Sequence, residues 1–142
     1  MDEINPTCIH QVEDEASIRH LVQQMEASWN AGDGYAFAAL FTEDAHFVNI
    51  MGWHVTGRKA IAEGHEQIFA TIYKDSQNKA LSTAVRFVCA DIALAYVHWH
   101  LRFWQEGVWS DRQAMSTLVL VKQTEPGEWQ ITSFHNTPIV AP

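Results

Sequence analysis

Tyr96, His98, His100 and Arg102 alternate along one stretch of the chain with Ala95, Val97, Trp99, Leu101 and Phe103. A strand sends successive side chains to opposite faces, so the polar set faces either water or a cavity. One reading is a solvated sheet face carrying ordinary surface histidines; the other is the wall of a pocket. His98 and His100 also project together, as two neutral imidazoles do when they ligate a metal, with Glu106 available as a further ligand. Such two-residue pairs more often bind nothing, and no metal is assigned on this signal.

A second group is His65, which falls on the apolar stripe of Ile61, Ile68, Phe69 and Ile72. Its structural reading is a core histidine hydrogen-bonded to a neighbouring carbonyl. Its functional reading is an acid/base group at a cavity floor, because imidazole titrates near neutral pH and burial keeps it uncharged and ready to accept a proton. Asn49 alternates with Phe47 and Ala45, and is either a polar residue beside a turn or a hydrogen-bonding group aimed inward. An amide cannot serve as a base in either role. The sequence holds no nucleophile motif, phosphate loop, cysteine-based metal spacing or dinucleotide fingerprint, so no cofactor is expected.

The elements that must position these residues follow from periodicity. Ile18, Leu21, Val22, Met25 and Trp29 recur at spacings of three and four, which predicts a helix from Asp14 to Ala31 with Asp14 as N-cap and Gly32 beyond its end. Phe37, Leu40 and Phe41 extend the pattern into a second short helix ended by Thr42-Glu43-Asp44. Residues 46–50 and 53–56 read as a hairpin around Met51-Gly52, and 57–73 as a third helix. Strands follow at 80–88, 92–103, 113–122 and 128–136, joined by turns at Ala90-Asp91 and Pro126-Gly127. Early helices and a late antiparallel meander predict an α+β fold, with helices covering one face of a curved sheet. The 142 residues suit one domain, 1–142, with 1–12 as a flexible tail.

The chain carries 9 Lys+Arg against 17 Asp+Glu, a net charge of −8 that repels a phosphate backbone and argues against nucleic acid as a partner. The absence of a basic, apolar leader or a long apolar run predicts a cytoplasmic protein without a membrane partner. Cys8 and Cys89 are too few for a disulfide framework, and Cys89, inside an apolar run, reads as a buried thiol.

Several segments carry a resemblance: Trp29-Asn30-Ala31-Gly32-Asp33, Ala39-Leu40-Phe41-x-Glu43-Asp44-Ala45, Gly57-Arg58-x-Ala60-Ile61 and Gly127-Glu128-Trp129-Gln130-Ile131. With Phe47-Val48-Asn49-Ile50 and Phe134-His135-Asn136-Thr137, they resemble the nuclear transport factor 2-like, or SnoaL-like, superfamily, and within it the SgcJ/EcaC group. The likeness runs from about Glu13 to Thr137. It implies a cone-shaped α+β barrel, three helices closing a strongly bent antiparallel sheet over an apolar pocket, and dimerisation through the outer sheet face.

Steroid Δ-isomerases of this superfamily use an Asp base and an oxyanion hole of Tyr and protonated Asp. Laid on this chain from the Asn30–Asp33 turn, those positions are Met25, Asn49 and Thr117, so that catalytic set is absent. The same register puts a pocket tyrosine of the family at His65 and turns Tyr96, His98 and His100 inward. It also turns Thr132, Phe134 and Asn136 inward and leaves His135 outward.

These readings combine into an expectation of an acid/base enzyme of the isomerase, dehydratase or cyclase kind acting on a small apolar molecule, of polyketide or other natural-product type by the resemblance. His65 is the expected base. Asn49, Tyr96 and Thr117 would orient substrate or bind an enolate-like oxygen, and Met25, Trp29, Phe47, Trp53, His98, His100, Phe134 and Asn136 would line the pocket. The alternative is a non-catalytic binding or dimerisation module, which the superfamily also contains. Val97, Trp99, Leu101, Phe103, Trp129 and Ile131 on the opposite face predict an exposed apolar patch, and hence a homodimer.

Overall fold

The computed structural model describes residues 6–124 and 127–141, with side chains from residue 11 onward. The chain runs α1 (Pro6–Asn30), α2 (Gly34–Ala38), β1 (Phe41–Val48), β2 (His54–Thr56), α3 (Arg58–Ala70), β3 (Gln77–Cys89), β4 (Ile92–Gln105), β5 (Val108–Lys122) and β6 (Trp129–Pro138). The strands form one curved sheet in the order β2-β1-β6-β5-β4-β3. All neighbours are antiparallel except β1 and β6, which run parallel and bring the first and last long segments together. The expected α+β architecture, helices over one face of a bent sheet, is the one observed.

Helix α1 buries Ile18, Leu21, Val22 and Met25, the face that its spacing predicts. It begins earlier than expected. Residues 6–12 are helical, while residues 1–5 of the expected tail lie outside the described residues. Asp14 is therefore no N-cap. It is buried inside the helix, accepts the indole N–H of Trp129 at 3.0 Å and pairs with Lys122 Nζ at 3.0 Å. One carboxylate thus ties α1 to β5 and β6. Beyond α1, Gly32 adopts φ +66°, and Asp33 caps α2 by accepting from the Ala36 amide. Gly34 then sits so close to α3 that a Cβ would lie 2.7 Å from the Glu66 backbone nitrogen.

Phe41 opens β1 and does not extend α2. Phe41, Ala45 and Phe47 turn inward with the same parity, as in a strand, and the pairing of β1 with β6 shifts register between Phe41 and His46. The Ala90-Asp91 turn joins β3 to β4 as expected, but Cys89 beside it is exposed and its thiol donates to Asp91. Strand β5 starts five residues before the expected Gln113, at Val108. The two-residue turn before it, Glu106-Gly107, has positive φ at both positions, the geometry of a tight hairpin. Glu106 is therefore a turn residue of the β4–β5 hairpin. Pro126 of the second expected turn lies outside the described residues, as does the Cys8 side chain.

The facing of β4 is the reverse of the expectation. Ala93, Ala95, Val97, Trp99, Leu101 and Phe103 are buried, and Tyr96, His98, His100 and Arg102 occupy the outer face. The alternation itself is as read; the apolar set goes inward because only the inner face is roofed by helices. Trp129 and Ile131 are also interior. In β6 the pairing slips between Ile131 and Ser133, leaving Thr132 as an extra residue, so that Ile131 and Phe134 both face in. Thr132 instead reaches Thr42, hydroxyl to hydroxyl at 3.3 Å. The patch from which a homodimer was expected is thus the core of a single chain. No helix among the described residues is long and apolar enough to cross a membrane.

Candidate functional site

Beneath the helices the sheet leaves a cavity of about 150 Å³. Met25 and Trp29 of α1, Phe37 of α2 and Phe47 of β1 form its apolar walls, with Trp99 and Leu101 of β4 opposite. His65 of α3 and, from the last strand, Phe134 and Asn136 complete the set that concerns the chemistry. Seven of the residues expected at a pocket are here: Met25, Trp29, Phe47, Asn49, His65, Phe134 and Asn136.

His65 is 6% exposed and is enclosed by aromatic rings. Phe37 stacks on it at a centroid distance of 4.3 Å, Phe47 meets it edge-on at 5.1 Å, and Trp29 and Phe69 stand about 6 Å away. Its Nδ1 lies 2.7 Å from the carbonyl oxygen of Ile61, one helical turn back. A carbonyl can only accept, so Nδ1 carries the proton and Nε2 is left with its lone pair. Burial pushes the imidazole down from its ordinary 6.5 to about 4, because the apolar surroundings penalise the cation; the Ile61 hydrogen bond opposes this in part. At neutral pH the ring is therefore an uncharged acceptor in an apolar chamber.

Asn49 lines the cavity, but its Oδ1 is committed. It accepts from the Met51 amide and from the Trp53 amide, each at 2.9 Å, and so closes the turn between β1 and β2. Of its side-chain groups only the NH2 is left for a ligand. Asn136 is bonded through Oδ1 to Ser116, which is wholly buried, and His135 is exposed, as the parity of β6 predicts.

Five expected residues are elsewhere. Trp53 is 70% exposed in the β1–β2 turn. Tyr96 and Thr117 are cross-strand neighbours on the outer sheet face, where neither can reach a ligand in the cavity. His98 and His100 share that face, and each is engaged by β5: His98 Nε2 with Gln113 at 2.7 Å and His100 Nε2 with Asp111 at 2.9 Å. Among the described residues no three His, Cys, Asp or Glu side chains stand together as a metal-ligating group. Register explains all of these except Trp53. Once the apolar face of β4 turns inward, its polar face and the residues paired with it must turn outward.

Trp99, Leu101 and Arg112 are among the cavity residues absent from the expected set. Trp99 and Leu101 were placed on the outer face; Arg112 was placed in no strand at all, because β5 was started at Gln113. In β5 the residues Arg112, Ala114 and Ser116 alternate inward. A strand beginning immediately after the Glu106-Gly107 turn would have located Arg112.

The family model described as a SnoaL-like domain matches residues 18–141. A solved domain of unknown function with a cystatin-like fold, from Nostoc punctiforme, is 35% identical, with 91% of this chain and 79% of that one covered and a TM-score of 0.81. A nuclear transport factor 2-like protein from Novosphingobium aromaticivorans is 21% identical, with 100% and 94% covered and a TM-score of 0.80. A hexachlorocyclohexane dehydrochlorinase is 13% identical, with 94% of each chain covered and a TM-score of 0.81. No curated protein sequence matches the chain.

Proposed function

The chain belongs to the SnoaL-like domain family, and we propose from that premise that it is a small-molecule enzyme of the isomerase, dehydratase or cyclase kind, with His65 as its proton acceptor. The observation that carries the reading is the state of His65: neutral, fixed by Ile61 through Nδ1, and lining an apolar cavity with Nε2 unspent. A base so held loses no time to orientation, and the apolar walls keep water from competing for the proton. The shared fold of a protein named as a hexachlorocyclohexane dehydrochlorinase is consistent with chemistry on a small ring. So is the cavity volume: a space of about 150 Å³ takes a single six-membered ring. A substrate of the SgcJ/EcaC natural-product type must then present a fragment of that size to His65.

The test needs no named substrate. Small ring ketones and related carbon acids are incubated with the protein in deuterated water, and exchange of their acidic hydrogens is followed by NMR. His65→Ala is expected to abolish the exchange while leaving ligand affinity within about tenfold.

A binding module is the second reading, favoured by the low basicity of His65. An imidazole titrating near 4 is a weak base, and Met25, Asn49 and Thr117 supply none of the steroid-isomerase acid/base groups. On this reading His65→Ala lowers affinity, and no exchange is seen with either protein.

A further inference from the structure

The inner wall of the cavity carries polar groups that the protein does not use. Arg112 lies half-buried on the inward face of β5 and contributes to the lining. Its Nη1 donates to the Tyr73 hydroxyl at 2.6 Å, and its guanidinium lies over the Phe103 ring at 5.1 Å. Among the described residues no carboxylate forms an ion pair with it. The neighbouring acid, Asp111, faces the other side of the sheet and engages His100. A guanidinium beside apolar walls without a counter-ion is costly, since its charge is partly desolvated and most of its N–H groups have no acceptor.

Two unpaired polar atoms lie within the same wall. Trp99, 5% exposed and also lining the cavity, has an indole N–H with no hydrogen-bond partner. Asn78, on the same wall, has a buried Oδ1 without a donor, although its backbone is held by Asn30 on both sides. Buried polar atoms are nearly always paired, so these two are exceptions within the wall, but both are closed off from the cavity space and leave Arg112 as the charged group a ligand can meet. Arg112 is permanently cationic, and apart from the bond to Tyr73 its N–H groups remain available.

We propose that the cavity binds a monocyclic organic carboxylate, its ring against Trp29, Phe37 and Phe47 and its carboxylate on Arg112. The proposal deepens the preceding reading by naming a ligand class, and rests on the same cavity. The planar guanidinium fork matches the two oxygens of a carboxylate, and Tyr73 and Phe103 hold its plane in place before the ligand arrives. The cavity volume sets the limit of one ring.

Calorimetric titration of the intact protein with benzoate, benzamide and acetate tests this. Benzoate has both features, benzamide the ring without the charge, and acetate the charge without the ring. Benzoate is expected to bind at least tenfold more tightly than either. In Arg112→Gln the advantage over benzamide should disappear, and in Arg112→Lys it should be partly kept. Equal affinity for benzoate and benzamide in the unaltered protein overturns the proposal, as does acetate binding as tightly as benzoate or benzoate not binding at all. The three-ligand comparison needs no variant, so it stands even where a substitution impairs folding. Because binding and not turnover is read, charge-dependent binding with no His65-dependent exchange would refute the catalytic reading alone. Exchange that requires His65 but is blind to ligand charge would refute this one alone.

Discussion

Replacing His65 with leucine should remove a specific pH dependence from the stability of this protein. In the folded chain the imidazole is pushed down to about 4, whereas in the unfolded chain it titrates near its ordinary 6.5. Between those values the unfolded state holds the extra proton, so acidification favours unfolding. The stabilisation is fully present above pH 6.5 and is lost as the pH falls toward 4. The gap of 2.5 units between 6.5 and about 4 corresponds to about 3.4 kcal/mol over the whole window, of which about 2 kcal/mol is lost by pH 5. Carboxylates and the remaining histidines also titrate, but they are common to both proteins and drop out of the difference.

Urea denaturation at half-unit steps from pH 7.5 to pH 4.5 measures it. The wild type should lose stability faster than His65→Leu, and the gap between their curves should change by about 2 kcal/mol between pH 7 and pH 5. The absolute offset of the variant carries no weight, because leucine alters packing against Phe37 and Phe47. Curves that stay parallel within about 0.5 kcal/mol would refute the reasoning, since His65 would then titrate alike in the folded and unfolded chains.

Two further substitutions separate positions that the alternation pattern treated alike. Asn49→Ala leaves the Met51 and Trp53 amides without their shared acceptor and should cost about 1–2 kcal/mol by thermal or urea unfolding, whereas Asn49→Asp, which keeps the oxygen, should cost clearly less. The double replacement of His98 and His100 by Ala, on the outer sheet face, should leave benzoate affinity within about twofold and stability within about 1 kcal/mol; a large loss of affinity would return those histidines to the pocket.

Elements governed by local signals were legible in the sequence. The apolar face of α1, the tight Ala90-Asp91 turn and the inward Ile61, His65 and Phe69 of α3 all follow from spacing within a few residues, whereas Ile72, expected on the same stripe, lies beyond the end of α3 and is exposed. His65 was found because a polar group on that stripe demands an account. Facing in the sheet was not legible, because a period of two defines two faces without saying which is roofed. For β4 the choice depends on helices folded from a distant part of the chain, and borrowing a register by counting through loops of unknown length reversed it. The Thr132 bulge defeated parity in another way: one unpaired residue returns Trp129 and Ile131 to the interior, although Phe134 and Asn136 were read correctly on the far side of it. Arg112 was lost through a strand boundary, since the polar run Ser110-Asp111-Arg112 reads as a loop until the hairpin turn is recognised. Asn49 shows a different limit: its position was right, and only coordinates reveal that its oxygen is already spent on the turn.

The hydrogen bond from His65 to Ile61 has a stereochemical corollary. With one nitrogen permanently occupied by a main-chain oxygen, the ring has a single basic site and cannot pass a proton through itself, in on one side and out on the other. Whatever it removes must leave by the nitrogen through which it came. A reaction run on such a ring is confined to one face of the substrate: a hydrogen is lifted from and delivered to the same side. Rearrangements that move a hydrogen between neighbouring atoms on one face suit that constraint, while those requiring exchange across the molecular plane would need a second acid on the opposite wall.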